Sequence, residues 1–193
     1  MGLGILVLGL VVFLGAHLFV SFRDARANII ARVGLLAYRG LFALVSLMGV
    51  VLIVWGYGQY RAHELIQVWS PPVFMRHVTV GLMLFAVIFI VAAFIPSHIK
   101  TRLKHPMLAG VKTWAFAHLL SNGDFGSILL FGGFLAWGVY ARIAAKRRGD
   151  LGPTTAPAGW TNDALVVGLG VVVYLALGYA FHPAVIGVPV FGK

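Results

Sequence analysis

Long apolar runs recur along this chain, and the first, Leu3 to Phe22, contains no Asp, Glu, Lys or Arg. A helix needs about 20 such residues to cross the hydrocarbon of a bilayer, whereas a barrel strand needs only about ten, in alternation. The runs therefore exclude a strand barrel. The composition is 61% hydrophobic and 10% charged, against roughly 25% charged in an ordinary soluble domain. Within lipid every backbone N–H and C=O must be bonded inside its own segment, which leaves helices. The reading is an all-α polytopic transmembrane bundle, one domain over residues 1–193.

Punctuation divides the bundle. Arg23, Asp24 and Arg26 end the first span, and residues 23–38 read as a basic connection. A second span opens at Tyr38-Arg39 and runs to about Tyr57. The polar stretch from Gln59 to the Pro71-Pro72 pair reads as a loop. Val73 to Ile95 is the third span, stopped by Pro96. Ser97 to Pro106 carries Lys100, Arg102 and Lys104, so it lies at a membrane surface. Phe125 to Ala141 forms another span, opened by Asp124 as a cap. Residues 149–161, rich in Gly, Pro and Thr, form an exposed loop, and Asp163 caps a last span that reaches Phe181. The segment 106–121 is apolar but short. If it crosses, six helices place the basic 23–39, 97–106 and 142–148 clusters on the cytoplasmic side, as the positive-inside rule requires. If it does not, five helices leave the 142–148 cluster outside. Six is preferred on charge.

The formal charge of +10 sits at the ends of apolar runs. It reads as topology signal and anionic-lipid contact, with no nucleic acid as partner. The chain has no Cys, which removes disulfides, iron–sulfur clusters and thiolate haem ligation. The first run lacks a basic leader and an Ala-x-Ala cleavage site, so it reads as a retained helix in a bacterial inner (cytoplasmic) membrane.

Chemistry is concentrated in seven histidines. His63, His77 and His182 fall near predicted surfaces, and His98 and His105 flank a basic surface segment, where lipid phosphate is one partner. His105-Pro106 stands where a helix starts. His17 and His118 instead lie inside apolar stretches, where an ionisable side chain is costly without a partner. Gly15 and Ala16 flank the first, Ala115 and Ala117 the second, and small residues admit a neighbouring helix or a flat macrocycle. Two readings stay open for them: a neutral His bonded across a helix interface, or a metal or haem ligand. The five acids, Asp24, Glu64, Asp124, Asp150 and Asp163, lie at span ends or in loops, which disfavours zinc, di-iron or a catalytic carboxylate pair. Haem b needs only two axial nitrogens, an apolar slot and cations for its propionates, a role open to Arg39, Arg102 or Lys112. His17 lies roughly 9 Å from the Arg23 end of its helix. His118 matches that depth if Lys112 marks the boundary, and lies roughly 18 Å deep if the helix enters at Pro106.

Several residue strings resemble the NnrU family. They are Ala37-Tyr38-Arg39-Gly40-Leu41 followed by Leu44-Val45-Ser46-Leu47, then Lys104-His105-Pro106-Met107-Leu108 with Trp114, then Ala117-His118-Leu119-Leu120 and Asn122-Gly123-Asp124, and finally His182-Pro183 with Gly187. The resemblance spans nearly the whole chain. It implies b-type haem held by two histidines, which fall by position on His17 and His118. Arg39, from the cations available for propionates, and His105, at a helix start, are the further cofactor contacts expected from the residues themselves. It also implies one of two roles. One is a redox-regulated isomerase acting on a lipophilic polyene, as in the relative 15-cis-zeta-carotene isomerase. The other is a non-enzymatic accessory protein of denitrification, serving the expression or assembly of nitrite and nitric oxide reductases or the handling of nitric oxide. The expected partners are accordingly membrane lipid and either a hydrophobic small molecule or nitric oxide.

Overall fold

The computed structural model describes residues 1–191 of the chain. Its elements are α1 (Gly2–Phe19), α2 (Arg23–Val33), α3 (Leu35–His63), α4 (Met75–Ala92), α5 (His98–Leu103), α6 (Pro106–Ser121), α7 (Phe125–Arg147) and α8 (Thr161–Ala176). α8 runs without a break into a π-helical segment, Leu177–Ile186. No β-strand occurs among the described residues, so the all-α expectation holds. Five helical stretches are long and apolar enough to cross a membrane: Gly2–Phe19, Leu35–His63, Met75–Ala92, Phe125–Arg147 and Thr161–Ile186. Only 17–22% of the residues in these stretches are buried by the protein itself. Their outward faces carry large apolar side chains such as Val11, Leu44, Val54 and Val172, the inverse of a soluble surface. The protein is a multi-pass membrane protein.

The chain divides into two compact units, Met1–Ser70 with Asn122–Trp137, and Pro71–Ser121 with Gly138–Lys193. The first is organised by the antiparallel pair α1 and α3. Lipid supplies no hydrophobic drive between helices, so the pair must gain its stability from close packing, and glycine makes that possible. A Cβ on Gly9 would lie 2.6 Å from the Ile53 amide nitrogen, and one on Gly49 would lie 2.8 Å from Phe13 Cβ. Gly2 meets Tyr60 and Gly56 meets Leu6 in the same way. The contacts alternate in steps of four and three residues on each helix, and the glycines recur every seven, as a continuous seam between two helices requires. At one end of the seam Glu64, just past α3, accepts hydrogen bonds from the amides of Gly2 (2.7 Å) and Leu3 (3.1 Å) and pairs with the Met1 ammonium. The carboxylate thereby satisfies amides that the first turn of α1 leaves without intrahelical partners.

α3 extends beyond the expected second span at both ends, because its flanks, Leu35 to Ala37 and Gly58 to His63, hold no residue that must break a helix before Glu64. The connection at 23–38 likewise contains an ordered helix, α2, ending at Gly34 with φ +84°. The start of α7 packs in this unit too: Gly133 meets Leu14 and Phe134 meets Phe13. Asp124 caps α7 as expected, accepting from the Ser127 amide at 2.9 Å and from Ser127 Oγ at 2.6 Å.

In the second unit α4 is central. α6 lies antiparallel along it, from Gly110 against Ala86 and Ile90 to the bond from Thr79 Oγ1 to the Ala117 carbonyl (2.8 Å). α6 has 16 residues, about 24 Å at 1.5 Å per residue, too short for the five spans above. Even so, it accompanies α4 over most of that span's length. α8 packs on another face of α4, with Gly170 against Ile88 and Tyr174 Oη donating to the Val80 carbonyl at 3.0 Å. Asp163 was expected to cap α8. It instead accepts from the amides of His98 (3.2 Å) and Ile99 (2.9 Å), so it caps α5. The six-residue α5 has more unpaired amides in reach than α8 needs filled at its third residue. The last span also continues past Phe181 through Pro183. A π-helical stretch tolerates a residue without an N–H, because the wider turn leaves backbone groups outside the regular ladder.

Two predictions follow from the α1–α3 seam. Gly9→Ala should lower the unfolding stability in detergent by about 1–3 kcal/mol through overpacking. Gly4→Ala, whose Cβ would meet nothing within 4 Å, should leave it unchanged or slightly raised. Thermal unfolding of both variants checks this. The second concerns pH. The Met1 ammonium, then the Leu3 and Gly2 amides, hold the Glu64 carboxyl down at about 2 from its ordinary 4.5. A depressed folded-state value means the stabilisation is complete above about 4.5 and is lost as pH falls towards 2. The melting temperatures of wild type and Glu64→Gln should therefore differ at neutral pH and converge on acidification through that window.

Candidate functional site

His17 sits in the last turn of α1, where the seam with α3 has passed the Gly49–Phe13 contact. Its Nδ1 lies 2.8 Å from the Phe13 carbonyl, four residues back on the same helix. A carbonyl can only accept, so Nδ1 carries the proton and the lone pair is on Nε2. The ring stacks on Phe13 (centroids 4.1 Å apart) and meets Phe42 of α3 (5.1 Å) and the edge of Trp137 of α7 (5.6 Å). Three aromatic rings thus fix the imidazole from three helices. His17 makes no hydrogen bond to another helix among the described residues, so the interhelical reading of this histidine lacks its partner.

His118 repeats the arrangement in the second unit. Its Nδ1 donates to the Trp114 carbonyl at 2.8 Å, again four residues back, and the Trp114 ring stands 5.4 Å away. The same tautomer follows, with the lone pair on Nε2. Ala115 and Ala117 beside it are fully buried, so the small flanking residues serve helix packing. An aromatic residue four positions before the histidine, whose carbonyl takes the imidazole proton, is therefore common to both sites. A metal-binding histidine needs this arrangement, because a backbone acceptor on one ring nitrogen holds the other towards the metal.

The remaining histidines divide. His182, placed near a surface by the sequence, lies with its ring 6.3 Å from that of His118, and its Nδ1 is buried with no hydrogen-bond partner among the described residues. The signal for it was His182-Pro183, whose significance depended on a helix continuing through the proline. His98 donates from Nδ1 to Asp163 at 2.8 Å and stacks under Trp160 at 4.2 Å. His105 is held through Nε2 by the Asp150 carbonyl at 3.1 Å, tethering the 149–152 loop. His63 and His77 are exposed. Arg39 is exposed on the first turn of α3, next to the buried Tyr38. Lys112 lays its stem against Gly138.

Part of the Ala117-to-Asp124 string is architectural. Val68 and Trp69 both donate to the Gly123 carbonyl, at 2.9 and 3.1 Å, and the Phe125 amide donates to Ile66 (2.8 Å). The Trp69 carbonyl occupies the space a side chain at 123 would need, so only glycine fits there. Among the described residues no group of three or more His, Asp or Glu side chains is arranged to hold a metal ion.

No curated protein matches the chain, and no solved structure does. A family model described as NnrU protein matches residues 5–190, which takes in both histidines and every string singled out above. Nearly full-length coverage places the chain in the NnrU family.

Proposed function

We propose that this protein binds haem b, with Nε2 of His17 and Nε2 of His118 as the iron donors, in the cytoplasmic membrane of a bacterium. The observation that supports this most is the shared tautomer. Each imidazole gives its Nδ1 proton to a carbonyl of its own helix and so presents a lone pair on Nε2. His17 Nε2 has no protein partner among the described residues, and the donor type suits haem, which takes two axial nitrogens and needs no carboxylate.

The chain's own residues would orient and shield. The Phe13 and Trp114 carbonyls hold the tautomer, and the rings of Phe13, Phe42 and Trp137 fix the plane of His17. When bound, the haem supplies a one-electron or Lewis-acid centre beside lipid-borne substrate. Isomerisation of a polyene double bond is the reaction the family suggests for such a centre. The family's association with denitrification supplies the second reading, a non-enzymatic handler of nitric oxide or electrons. Carotenoid genes beside the coding sequence favour the first and denitrification genes the second.

The test is an absorption spectrum of protein purified in mild detergent, oxidised and then dithionite-reduced. The wild type should give a six-coordinate low-spin haem spectrum. His17→Gly and His118→Gly should each lose it, with haemin affinity falling roughly 100-fold, and added imidazole should restore it. A wild type that stays colourless with added haemin would sink the proposal.

A further inference from the structure

The first unit holds a second polar feature that neither histidine site uses. Tyr38, in the first turn of α3, is only 8% exposed, yet among the described residues its hydroxyl has no hydrogen-bond partner. Over its ring, 5.5 Å from the centroid, stands the guanidinium carbon of Arg26 from α2, and Arg26 Nε is also buried with no partner among those residues. Nor does either residue make an ion pair with a described acid, although Asp24 lies only two positions from Arg26 on α2. A buried phenol proton and a buried guanidinium proton left without acceptors carry a desolvation penalty that native structures rarely leave unanswered. The guanidinium N–H can only donate and the phenol O–H can donate too, so the ligand that satisfies both is an acceptor, and beside a guanidinium it is an anionic one.

The surroundings place that ligand. α2 carries Arg23, Arg26 and Arg32 with exposed Ile29 and Val33, the composition of a helix lying in a membrane interface. Phe42 links the feature to His17: its ring stacks with Tyr38 at 6.4 Å and meets His17 at 5.1 Å.

We propose that Arg26 and Tyr38 form a binding site for an oxyanion at the membrane boundary, the guanidinium supplying charge and the phenol a directed hydrogen bond. Two sources offer this chemistry at that depth: the phosphate of an anionic phospholipid, and the propionate of a porphyrin ligated by His17. The second rests on the function proposed above and the first does not.

Delipidated protein in mild detergent would be titrated with phosphatidylglycerol and, separately, phosphatidylcholine, and bound lipid counted by native mass spectrometry. A parallel titration would use haemin and haemin dimethyl ester, whose propionates are uncharged. The variants are Arg26→Gln and Tyr38→Phe, which keeps the packed ring, with exposed Arg23→Gln as reference and circular dichroism and elution profile as folding checks. A roughly tenfold weakening of phosphatidylglycerol binding in both variants, absent in Arg23→Gln and for phosphatidylcholine, establishes a lipid phosphate site. A similar weakening for haemin with no change for its dimethyl ester establishes a propionate site. If neither titration separates the two variants from Arg23→Gln, the site is overturned. A wild type that binds no haemin removes the function proposed above, while the lipid titration still decides the site.

Discussion

The close approach of α1 and α3 is the constraint on which the first unit rests. In lipid two helices gain little by hiding apolar surface from each other, so association depends on direct van der Waals contact and hence on how near the backbones come. Gly2 and Gly9 on one helix, with Gly49 and Gly56 on the other, remove the side chains that would hold them apart. Their spacing also sets the register. That register carries Glu64 to the open amides of α1 at one end of the seam and brings His17 opposite Phe42 at the other. One sliding step of the pair would cost both.

Polar groups in such a fold are few, and most are spent on helix ends. Glu64 caps α1, Asp124 caps α7 and Asp163 caps α5, so three of the five acids satisfy amides at helix ends, and Asp150 accepts from the Gly152 amide in a loop. Lys100 closes the end of α4 by donating to the Ala93 carbonyl. Against this background the polar groups without protein partners are conspicuous. The His17 Nε2 lone pair, the Tyr38 hydroxyl and Arg26 Nε lie along one aromatic chain through Phe42, and among the described residues each lacks a protein partner, as does Ser46 Oγ elsewhere on α3.

The family strings have a mixed meaning in this light. Gly123 answers to the backbone of residues 67–69 pressed against it, and Asp124 to the amide of Ser127. His105 holds the loop at Asp150. Of the Ala117-to-Asp124 string, His118 is the member whose ring bonds its own helix, through Nδ1 to the Trp114 carbonyl. A motif can therefore be specific to a family while most of its residues maintain shape.

The sequence by itself determined the membrane class, the helical fold, the approximate spans and the cap at Asp124, and it singled out His17 and His118 as the histidines lying inside apolar runs. These follow from local composition, because hydropathy over about 20 residues and the cost of an ionisable group in an apolar run need no knowledge of neighbours. Only the tertiary structure decided the rest. Asp163 reads as the cap of its own helix until α5 is seen beside it, and His182 reads as a surface residue until the π-helical turn brings it to His118. Nor could spacing show that both candidate ligands share one tautomer, or that Arg26 lies over Tyr38, twelve residues further along the chain. A hydrogen bond or a cation–π contact is defined over a few ångströms between elements, and the chain's linear order specifies those distances only through the packing of the whole.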